Sequence, residues 1–419
     1  MTLAEWRNRA AEWGGRPLVL LGVLTALSTA IRCVHLDLPN MLMFDEDYYV
    51  NAARDMVGHH STASSLPLLG QGIDSNPAHP PLAKLLIGGG ISLFGDNPVG
   101  WRTPSVVFGT LAILLTYWVV RSAGGRPAMA LTASTLMAVD NLVFIHGRMA
   151  TLDIFVLVFM LAAVGLYLRR LWAPAGIAVG VGACTKLVAF DVLLVVGLIE
   201  VGRLILTRAL SGRASGWPVR SALIALGGCA GVTLVAYLGT LGLLDHFVGR
   251  DPNPLSHTSF MLHALSTPGT RFAAGPIPVS ADSLPWQWLI DQVPINYWRQ
   301  VGPDGDVINF RGMMTPAIIF ATVPALVLCG RSFWREHDQP AMLALAWFAG
   351  TMIPFVLGAL QHRTTYIYYF LIVMPSVCVA VARCFWGRPR LPDTLRAAYV
   401  LAVAYGFIAL FPFRTLSGR

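Results

Sequence analysis

Long apolar runs separated by short polar turns follow one another along most of this chain. A helix that crosses a bilayer needs about 20 mostly apolar residues, and on that criterion the pattern predicts about eleven spans. The predicted spans cover residues 17–34, 101–120, 127–145, 152–171, 173–185, 187–206, 219–243, 313–330, 341–360, 365–385 and 394–413. The fifth and sixth runs are short and also fit one bent hairpin. The pattern therefore predicts an all-α polytopic membrane protein.

Two longer polar segments interrupt this pattern, at residues 35–100 and 244–312. In the first, residues 44–57 have the spacing of an amphipathic helix, and residues 82–94 form an apolar run too short to span a membrane. Both helices are predicted to lie at the membrane interface. The second segment is too short for an independent domain of typical size. Residues 1–419 are therefore predicted to form one integral-membrane domain.

Composition supports a membrane protein, since 55% of the residues are hydrophobic and only 12% are charged. A net charge of +8 would suggest nucleic-acid binding in a soluble domain, but here the arginines lie mostly in short turns, and no nucleic-acid partner is predicted. With a cytoplasmic N-terminus, the short-turn arginines fall on the cytoplasmic side, at positions 121, 126, 169, 170, 203, 208, 213, 220, 331, 335, 383, 388, 390 and 396. Both long polar segments then lie on the outer face.

Carboxylates and cations are concentrated in and near the first polar segment. Asp45 and Glu46 follow the first span, where a carboxylate near the low-dielectric boundary can have a raised pKa and act as a general base. The same pair also fits a solvated helix N-terminus, where acidic residues interact favourably with the helix dipole. Only two lysines occur among 30 basic residues, Lys84 and Lys186, which suggests positions that need a compact ammonium.

Further ionisable side chains are predicted on the same face: His79, Arg102, Asp140, Arg148 and Asp153. Charges within or beside apolar segments are costly unless they are paired or functional. Arg148 and Asp153 are five positions apart, so an ion pair that fixes a turn is the alternative for these two. The aromatic run at residues 366–370 could line a lipid groove, contact sugar, or anchor the chain at the interface.

Lysine and arginine beside a carboxylate at a membrane surface suit a lipid-linked phosphate whose bond to a sugar is broken. Cations stabilise the departing phosphate without a proton donor, whereas the attacking hydroxyl needs a base. This reasoning predicts an inverting glycosyl transfer in a single displacement. The competing hypothesis is a transporter for a lipid-linked substrate, with the charges along its pathway. The lack of inverted repeats and the position of the charges at one surface argue against it.

No metal or other cofactor is predicted, and a divalent ion is a minor alternative. Seven histidines fall on the outer side with Asp45 and Glu46, at positions 35, 59, 60, 79, 246, 257 and 263. They show no HxxxH or HExxH spacing. The six cysteines are scattered without a CxxC pair, which indicates neither a disulfide framework nor a zinc site.

Several motifs, in this order, resemble those of the polyprenyl-phosphate-mannose protein O-mannosyltransferases, a family within the C superfamily of membrane glycosyltransferases. They are Phe44-Asp45-Glu46, His79-Pro80-Pro81-Leu82-Ala83-Lys84, Trp101-Arg102-Thr103-Pro104-Ser105, Arg148-Met149-Ala150-Thr151-Leu152-Asp153, Thr185-Lys186-Leu187-Val188, Pro285-Trp286-Gln287-Trp288 and Arg363-Thr364-Thr365-Tyr366-Ile367-Tyr368-Tyr369-Phe370. Together these motifs extend over most of the chain, and they occur in the same order as in the family.

The resemblance implies transfer of mannose from a polyprenyl phosphate to a Ser or Thr hydroxyl of a secreted or membrane protein. It implies that Asp45 and Glu46 are the acidic pair, with Asp45 the first choice of base. With the cluster described above, it predicts donor phosphate or sugar contacts from Lys84, Arg102, Arg148, Lys186 and Arg363. Side chains that shape the site are predicted to be His79, Asp153 and Tyr368.

The sequence departs from the family pattern in three ways. Ala83 stands where the family has glycine, residues 310–312 replace an expected Gly-Asn-Pro segment, and the luminal sugar-binding-like domain of eukaryotic members is absent from residues 244–312. The last departure fits a prokaryotic plasma-membrane protein with its active site on the outer face. Aminoarabinose and arabinose transferases share an acidic first loop and a Pro-Pro-Leu segment, though with Lys in place of His79. Transfer of another sugar to a glycan or lipid is therefore the nearest alternative.

Overall fold

The computed structural model describes residues 16–59, 72–211, 219–250, 252–266, 281–302, 306–387 and 391–415. His60 and the arginines at 213, 388 and 390, which entered the sequence predictions, lie outside these residues. Helices make up most of the described chain, and several of them are long and apolar. The predicted helical membrane architecture is therefore confirmed in outline.

The α-helices are numbered in chain order. They are α1 (Pro17–Cys33), α2 (Glu46–Val57), α3 (Leu82–Phe94), α4 (Pro98–Ser122), α5 (Pro127–Val139), α6 (Asn141–His146), α7 (Asp153–Leu168), α8 (Trp172–Ala183), α9 (Asp191–Ser211), α10 (Val219–Phe247), α11 (Pro254–Ser266), α12 (Pro316–Phe320), α13 (Thr322–Glu336), α14 (Gln339–Leu360), α15 (Met374–Trp386) and α16 (Asp393–Leu410). Short 3-10 turns occur at Leu187–Phe190, Gln287–Ile290 and Ile367–Ile372.

Five helical stretches of the described chain are long and apolar enough to cross a membrane: α4, α10, the stretch formed by α12 and α13, α14 and α16. Other apolar helices have 10–17 residues, namely α1, α3, α5, α7, α8 and α15. The chain is therefore a multi-pass membrane protein, whereas the total of about eleven spans stays a prediction.

The third predicted span is shorter than expected because its helix breaks at Asp140. The backbone of Asp140 is extended, and its carboxylate accepts hydrogen bonds from the N–H groups of Val143 and Thr315. An Asp at a helix N-cap stabilises the start of the helix by about 1 kcal/mol. The Asn141 side chain donates to the Met313 carbonyl at 2.8 Å. The break therefore ties α6 to the chain that leads into α12.

The prediction of an all-α fold is wrong in one place, because the structure contains a small antiparallel sheet. Strands β1 (Ile295–Val301), β2 (Asp306–Gly312) and β3 (Phe413–Thr415) pair in the order β1-β2-β3. β3 follows α16, so the last predicted span ends earlier than expected. A criterion based on long apolar runs does not detect strands of this length, and the pairing of β2 with β3 joins segments far apart in the sequence.

The two helices predicted in the first polar segment are present. α3 has the predicted bounds, and α2 begins at Glu46, two residues later than predicted. The later start follows from the backbone, because Phe44 has a φ of 55°, in the left-handed region that bulky residues rarely adopt. Asp45 then occupies the N-cap position of α2.

α3 packs closely against α4 through glycines. A Cβ atom added at Gly90 would lie 2.3 Å from the Gly100 carbonyl oxygen and 2.7 Å from the Pro104 side chain. An added Cβ at Gly89 would have nothing within 4 Å. Small residues at helix crossings let membrane helices approach one another. Gly90 therefore sets the distance between these two helices.

Gly90→Ala is expected to lower the melting temperature of the purified protein, because the new methyl group clashes with backbone atoms at the α3–α4 crossing. Overpacking of this kind costs about 1–3 kcal/mol. Gly89→Ala is the matched control, and it should leave the melting temperature unchanged or slightly higher, since alanine favours a helix over glycine by about 1 kcal/mol. Equal effects of the two substitutions in thermal unfolding would contradict this account of the crossing.

Candidate active site

Four polar side chains from separate parts of the chain meet beside the first polar segment. They are Asp45 at the start of α2, Asp153 at the start of α7, Lys186 between α8 and α9, and Tyr368 in the turn before α15. Lys186 Nζ lies 2.7 Å from Asp153 Oδ1, and Tyr368 Oη lies 3.3 Å from Asp45 Oδ2. All four were predicted as site residues, and the structure brings them together.

Asp45 is the carboxylate best placed to act as a base. Only 6% of the residue is exposed, and its Oδ2 accepts the hydrogen bond from the Tyr368 hydroxyl. Burial raises the pKa of Asp45 to about 7, although the positive charge of Lys186 and the hydrogen bond from Tyr368 favour the ionised form. A carboxylate with a pKa near neutrality can be present as its anion and still take up a proton efficiently.

The left-handed backbone at Phe44 lies directly before this carboxylate. Such a conformation costs of order 1–3 kcal/mol and persists where the surroundings impose it, often at active sites. The Phe44 ring packs against Tyr297, with ring centres 4.4 Å apart, and against Tyr368 at 5.3 Å. These contacts hold Phe44 in place and thereby direct Asp45 toward the Tyr368 hydroxyl.

Lys186 supplies a positive charge that a ligand can reach. Burial disfavours its charged form, but Asp153, Tyr369 and Asp45 outweigh this effect and raise the pKa of Lys186 above its usual value. An ammonium has three N–H donors, and the described residues engage one of them, through Asp153. The side chain is 13% exposed. Lys186 is therefore charged and has donors left for an anionic ligand.

A cavity of about 180 Å³ opens beside Lys186. Its polar wall is formed by His79, Asp153, Lys186, Asp191, Arg363 and Tyr369, and its apolar wall by Ala78, Leu187, Val188, Pro354, Phe355 and Ile372. Arg363, predicted to contact the donor, is exposed. Guanidinium and ammonium groups bind phosphate by charge-assisted hydrogen bonds. Cations facing an apolar wall therefore match the phosphate and the hydrocarbon of a lipid phosphate.

His79 contributes a neutral ring to this cavity. Burial and the positive charges of Lys186, Lys84 and Arg363 lower the pKa of His79 to about 3. Its ring packs edge-on against Tyr49, with ring centres 5.7 Å apart. A neutral imidazole can donate one hydrogen bond and accept another. His79 can therefore contact a ligand without adding charge, and its role in shaping the site stays a prediction.

Lys84, predicted to contact the donor, is not brought to the cavity. Its ammonium lies 2.6 Å from Asp74 Oδ2 and 2.8 Å from the His79 carbonyl oxygen, and it also bonds to the Asn76 carbonyl. These bonds use all three N–H donors, and the residue is fully buried. The prediction is therefore corrected, because Lys84 holds the loop that carries His79.

Glu46 and Arg102 form a buried ion pair, with 2.9 Å between Nη2 and Oε2. The Glu46 carboxylate also accepts the backbone N–H groups of Met43 and Ala150. The remaining Arg102 donors bond to the carbonyls of Leu36, Pro39 and Met41. Because all five guanidinium N–H groups are used, Arg102 has no donor left for phosphate. The predicted roles of Glu46 in catalysis and of Arg102 in donor binding are therefore corrected to structural roles.

Arg148, also predicted to contact the donor, is buried away from the cavity. Its Nη2 donates to the Val34 and His35 carbonyls at 2.8 and 2.9 Å, and its guanidinium lies 4.9 Å from the centre of the Phe413 ring. The alternative of an ion pair with Asp153 is wrong as well, since Asp153 pairs with Lys186. Arg148 supports the chain that follows α1.

Asp191, at the start of α9, lines the cavity and was missed by the sequence predictions. Its Oδ2 is buried and has no hydrogen-bond partner among the described residues. The sequence does contain a signal for Asp191, namely an acidic residue shortly after Lys186. The surrounding apolar run, however, predicts an ordinary membrane span. One short 3-10 turn, Leu187–Phe190, in fact separates Lys186 from α9 and places Asp191 at the start of that helix.

The described residues contain no group of three or more His, Cys, Asp or Glu side chains that could hold a metal ion. Among the histidines considered as metal ligands, His257 bonds to Asp245 at 2.9 Å and to the Pro77 carbonyl at 2.9 Å. It therefore ties α11 to the loop before His79. The absence of a cofactor stays a prediction.

Comparisons with known proteins agree with this architecture. Residues 22–226 match the family model described as dolichyl-phosphate-mannose-protein mannosyltransferase. The fold is similar to that in the structure of the S. cerevisiae protein O-mannosyltransferase Pmt1-Pmt2 complex bound to the sugar donor, with a TM-score of 0.73 and 14% identity over 95% of this chain and 90% of that chain. It is also similar to ArnT from Cupriavidus metallidurans, with a TM-score of 0.60 and 17% identity over 94% and 62% of the two chains.

Curated relatives have more similar sequences. The polyprenol-phosphate-mannose–protein mannosyltransferase of Corynebacterium glutamicum is 25% identical over 90% of this chain and 84% of its own length. The protein of the same name from Mycobacterium tuberculosis is 24% identical over 96% and 88%. The chain is a membrane glycosyltransferase. The match of residues 22–226 to the dolichyl-phosphate-mannose-protein mannosyltransferase family agrees with the resemblance found in the motifs, which is confirmed.

Glu46→Gln is expected to lower the melting temperature strongly, because Arg102 stays charged and buried without its carboxylate partner. Breaking a buried ion pair in this way costs about 3–5 kcal/mol. Asp45→Asn should melt close to the wild type, since the Asp45 side chain makes one long hydrogen bond, to Tyr368. Thermal unfolding of both purified variants tests this, and a fully stable Glu46→Gln would show that the ion pair does not hold the site together.

Proposed function

We propose that this protein transfers mannose from a polyprenyl-phosphate donor to a Ser or Thr hydroxyl of a protein. The names of the curated relatives support this donor and acceptor. The observation that carries the proposal is the buried Asp45 carboxylate, whose pKa is about 7. This carboxylate lies in the electrostatic field of Lys186, beside the cavity in which cations face an apolar wall. The polyprenyl chain lies along that apolar wall, and the phosphate lies at Lys186 and Arg363.

In the proposed reaction, Asp45 takes the proton of the acceptor hydroxyl as its oxygen attacks C1 of mannose. The bond between C1 and the phosphate oxygen breaks, and the electron pair leaves with the polyprenyl phosphate. Lys186 and Arg363 stabilise the charge that develops on this phosphate, so no general acid is needed. A single displacement inverts the configuration at C1. The proposed reaction therefore needs one base, Asp45, and two cations, Lys186 and Arg363.

The remaining cavity residues position these groups. Asp153 holds Lys186 at 2.7 Å and keeps it charged. Tyr368 bonds to Asp45 and packs edge-on against Tyr369, with ring centres 4.8 Å apart. The base Asp45 and the cation Lys186 therefore lie beside the same pair of tyrosines. We propose that the site faces the outside of a prokaryotic plasma membrane, which the arginines of the short turns support through the positive-inside rule.

Activity should rise with pH through about 7, because Asp45 must be ionised to accept a proton and its pKa is raised to about 7 by burial. Below that value kcat/KM should fall about tenfold per pH unit. His79→Gln should keep the inflection, since the pKa of His79 is about 3 and this residue stays neutral across the range. Measurement of kcat/KM against pH tests the assignment, and an inflection that disappears with His79→Gln would assign it to the imidazole.

Asp45→Asn should abolish transfer of radiolabelled mannose from synthetic polyprenyl phosphate mannose to a Ser/Thr-rich peptide, with donor binding largely kept. General-base catalysis contributes about 10²- to 10⁴-fold, so the expected loss is at least of this size. Asp47→Asn, on the same helix, is the matched control and should keep transfer. Wild-type protein that binds this donor without transfer would indicate another acceptor. Failure to bind the donor would indicate another sugar or the transporter hypothesis.

A further inference from the structure

The cavity beside Lys186 contains an aspartate that the proposed reaction does not use, Asp191 at the start of α9. Among the described residues, its carboxylate has no hydrogen-bond or ion-pair partner, and its Oδ2 is buried as well. The positive charge of Arg363 acts on this carboxylate without forming an ion pair with it. Asp191 therefore keeps the hydrogen-bonding capacity of a carboxylate at a place that a ligand can reach.

The other carboxylates around Lys186 already have partners. Asp153 Oδ1 lies 2.7 Å from Lys186 Nζ, and Asp45 accepts the hydrogen bond from Tyr368. Polar atoms inside native proteins are nearly always hydrogen-bonded. A favourable interaction with the helix dipole explains an acid in the first turn of α9, but it does not explain why this acid lines a cavity and lacks a donor. Such an arrangement is typical of a binding group whose donor comes from a ligand.

A carboxylate at this position favours a ligand group that donates hydrogen bonds. An ionised carboxylate only accepts hydrogen bonds and repels phosphate oxygens, so the lipid phosphate is a poor partner for Asp191. The hydrocarbon of the lipid is a poor partner too, and it has the apolar wall with Leu187, Val188 and Phe355 to contact. The hydroxyl groups of a sugar are donors, and they suit this carboxylate.

The position of Asp191 is also that of the sugar in the proposed donor. Arg363, one of the two cations proposed to hold the phosphate, lines the same cavity and acts electrostatically on Asp191. The sugar is joined to this phosphate through a single oxygen, so its hydroxyl groups lie within one sugar ring of the phosphate-binding cations. The acceptor hydroxyl has its own carboxylate in the proposed reaction, Asp45, and Asp191 is therefore left for the sugar.

We infer that Asp191 is a specificity-determining residue of the donor site, and that its carboxylate accepts a hydrogen bond from a hydroxyl group of the sugar to be transferred. Rotation about χ2 lets either carboxylate oxygen face the cavity. The inference rests on the proposed function, because the sugar comes to Asp191 only if Lys186 and Arg363 hold the phosphate. A lipid phosphate without sugar does not make this contact, so Asp191 distinguishes the loaded donor from the spent lipid.

Two matched lipids separate the sugar from the phosphate in a binding experiment on the purified full chain. One is polyprenyl phosphate mannose, and the other is a polyprenyl methyl phosphate, a phosphodiester of the same charge without the sugar. Asp191→Ala is expected to weaken binding of polyprenyl phosphate mannose about tenfold, the effect of losing a hydrogen bond to a charged group. Binding of the methyl phosphate should stay unchanged. Microscale thermophoresis in detergent measures both affinities.

Two further variants separate this contact from an effect on the fold. Asp191→Asn keeps a carbonyl acceptor and should recover part of the lost affinity. Asp393→Ala, which removes an exposed aspartate from the first turn of α16, is the matched control and should leave both affinities unchanged. Both Asp191 variants should melt close to the wild type, because this side chain makes no hydrogen bond to the described residues.

Donors in which each hydroxyl group of mannose is replaced in turn by hydrogen identify the group that Asp191 contacts. One of these deoxy donors should bind the wild type about tenfold more weakly than the parent donor. Asp191→Ala should cause no further loss with that donor, whereas it should still weaken the others. Non-additivity of this kind distinguishes a direct contact from an independent effect.

Three results with Asp191→Ala would overturn the inference. Equal weakening of both lipids would show that Asp191 acts through the phosphate. Unchanged affinity for both would show that the sugar does not contact this carboxylate. Loss of mannose transfer with full donor affinity would make Asp191 a base instead. A wild type that binds neither lipid would contradict the proposed function itself, and the inference with it.

Discussion

The buried ion pair between Glu46 and Arg102 is the contact on which the candidate active site depends. Two charges removed from water are costly unless every polar atom of the pair is satisfied, and here the guanidinium and the carboxylate are both fully hydrogen-bonded. Their bonds join the start of α2, the start of α4, the chain after α1 and the backbone just before α7. Asp45, which directly precedes Glu46 in the chain, accepts one long hydrogen bond, from Tyr368. The two adjacent acids thus differ in their bonding: Glu46 is held in structural contacts, whereas Asp45 is available for chemistry.

The same division applies to the two lysines of the chain. Each pairs with an aspartate, Lys84 with Asp74 and Lys186 with Asp153. Lys84 has no exposed side-chain surface and gives its three donors to protein atoms, whereas Lys186 keeps 13% of its side chain exposed beside a cavity. Exposure and the number of free donors, rather than residue type, separate a cation that holds a loop from one that can bind a ligand.

The sequence predicted most helices well, because a long apolar run is a local property of the chain. The motifs also identified Asp45, His79, Lys186 and Arg363, which the structure places at or beside one cavity. The bonding of Arg102 and Arg148 could not be predicted, since it depends on carbonyl groups far away in the sequence. The same reason explains the missed sheet, whose strands β2 and β3 lie on either side of five helices.

β3 has a consequence for the biosynthesis of the protein. Its Phe413 ring packs against the guanidinium of Arg148, and Arg148 in turn holds the carbonyls of Val34 and His35, shortly before Asp45 in the chain. A nascent chain gains this contact only after α16 and β3 have been synthesised. The support of the residues around Asp45 is therefore completed long after the Asp45 segment itself has been translated, so the site cannot mature while the chain is still growing through the intervening helices.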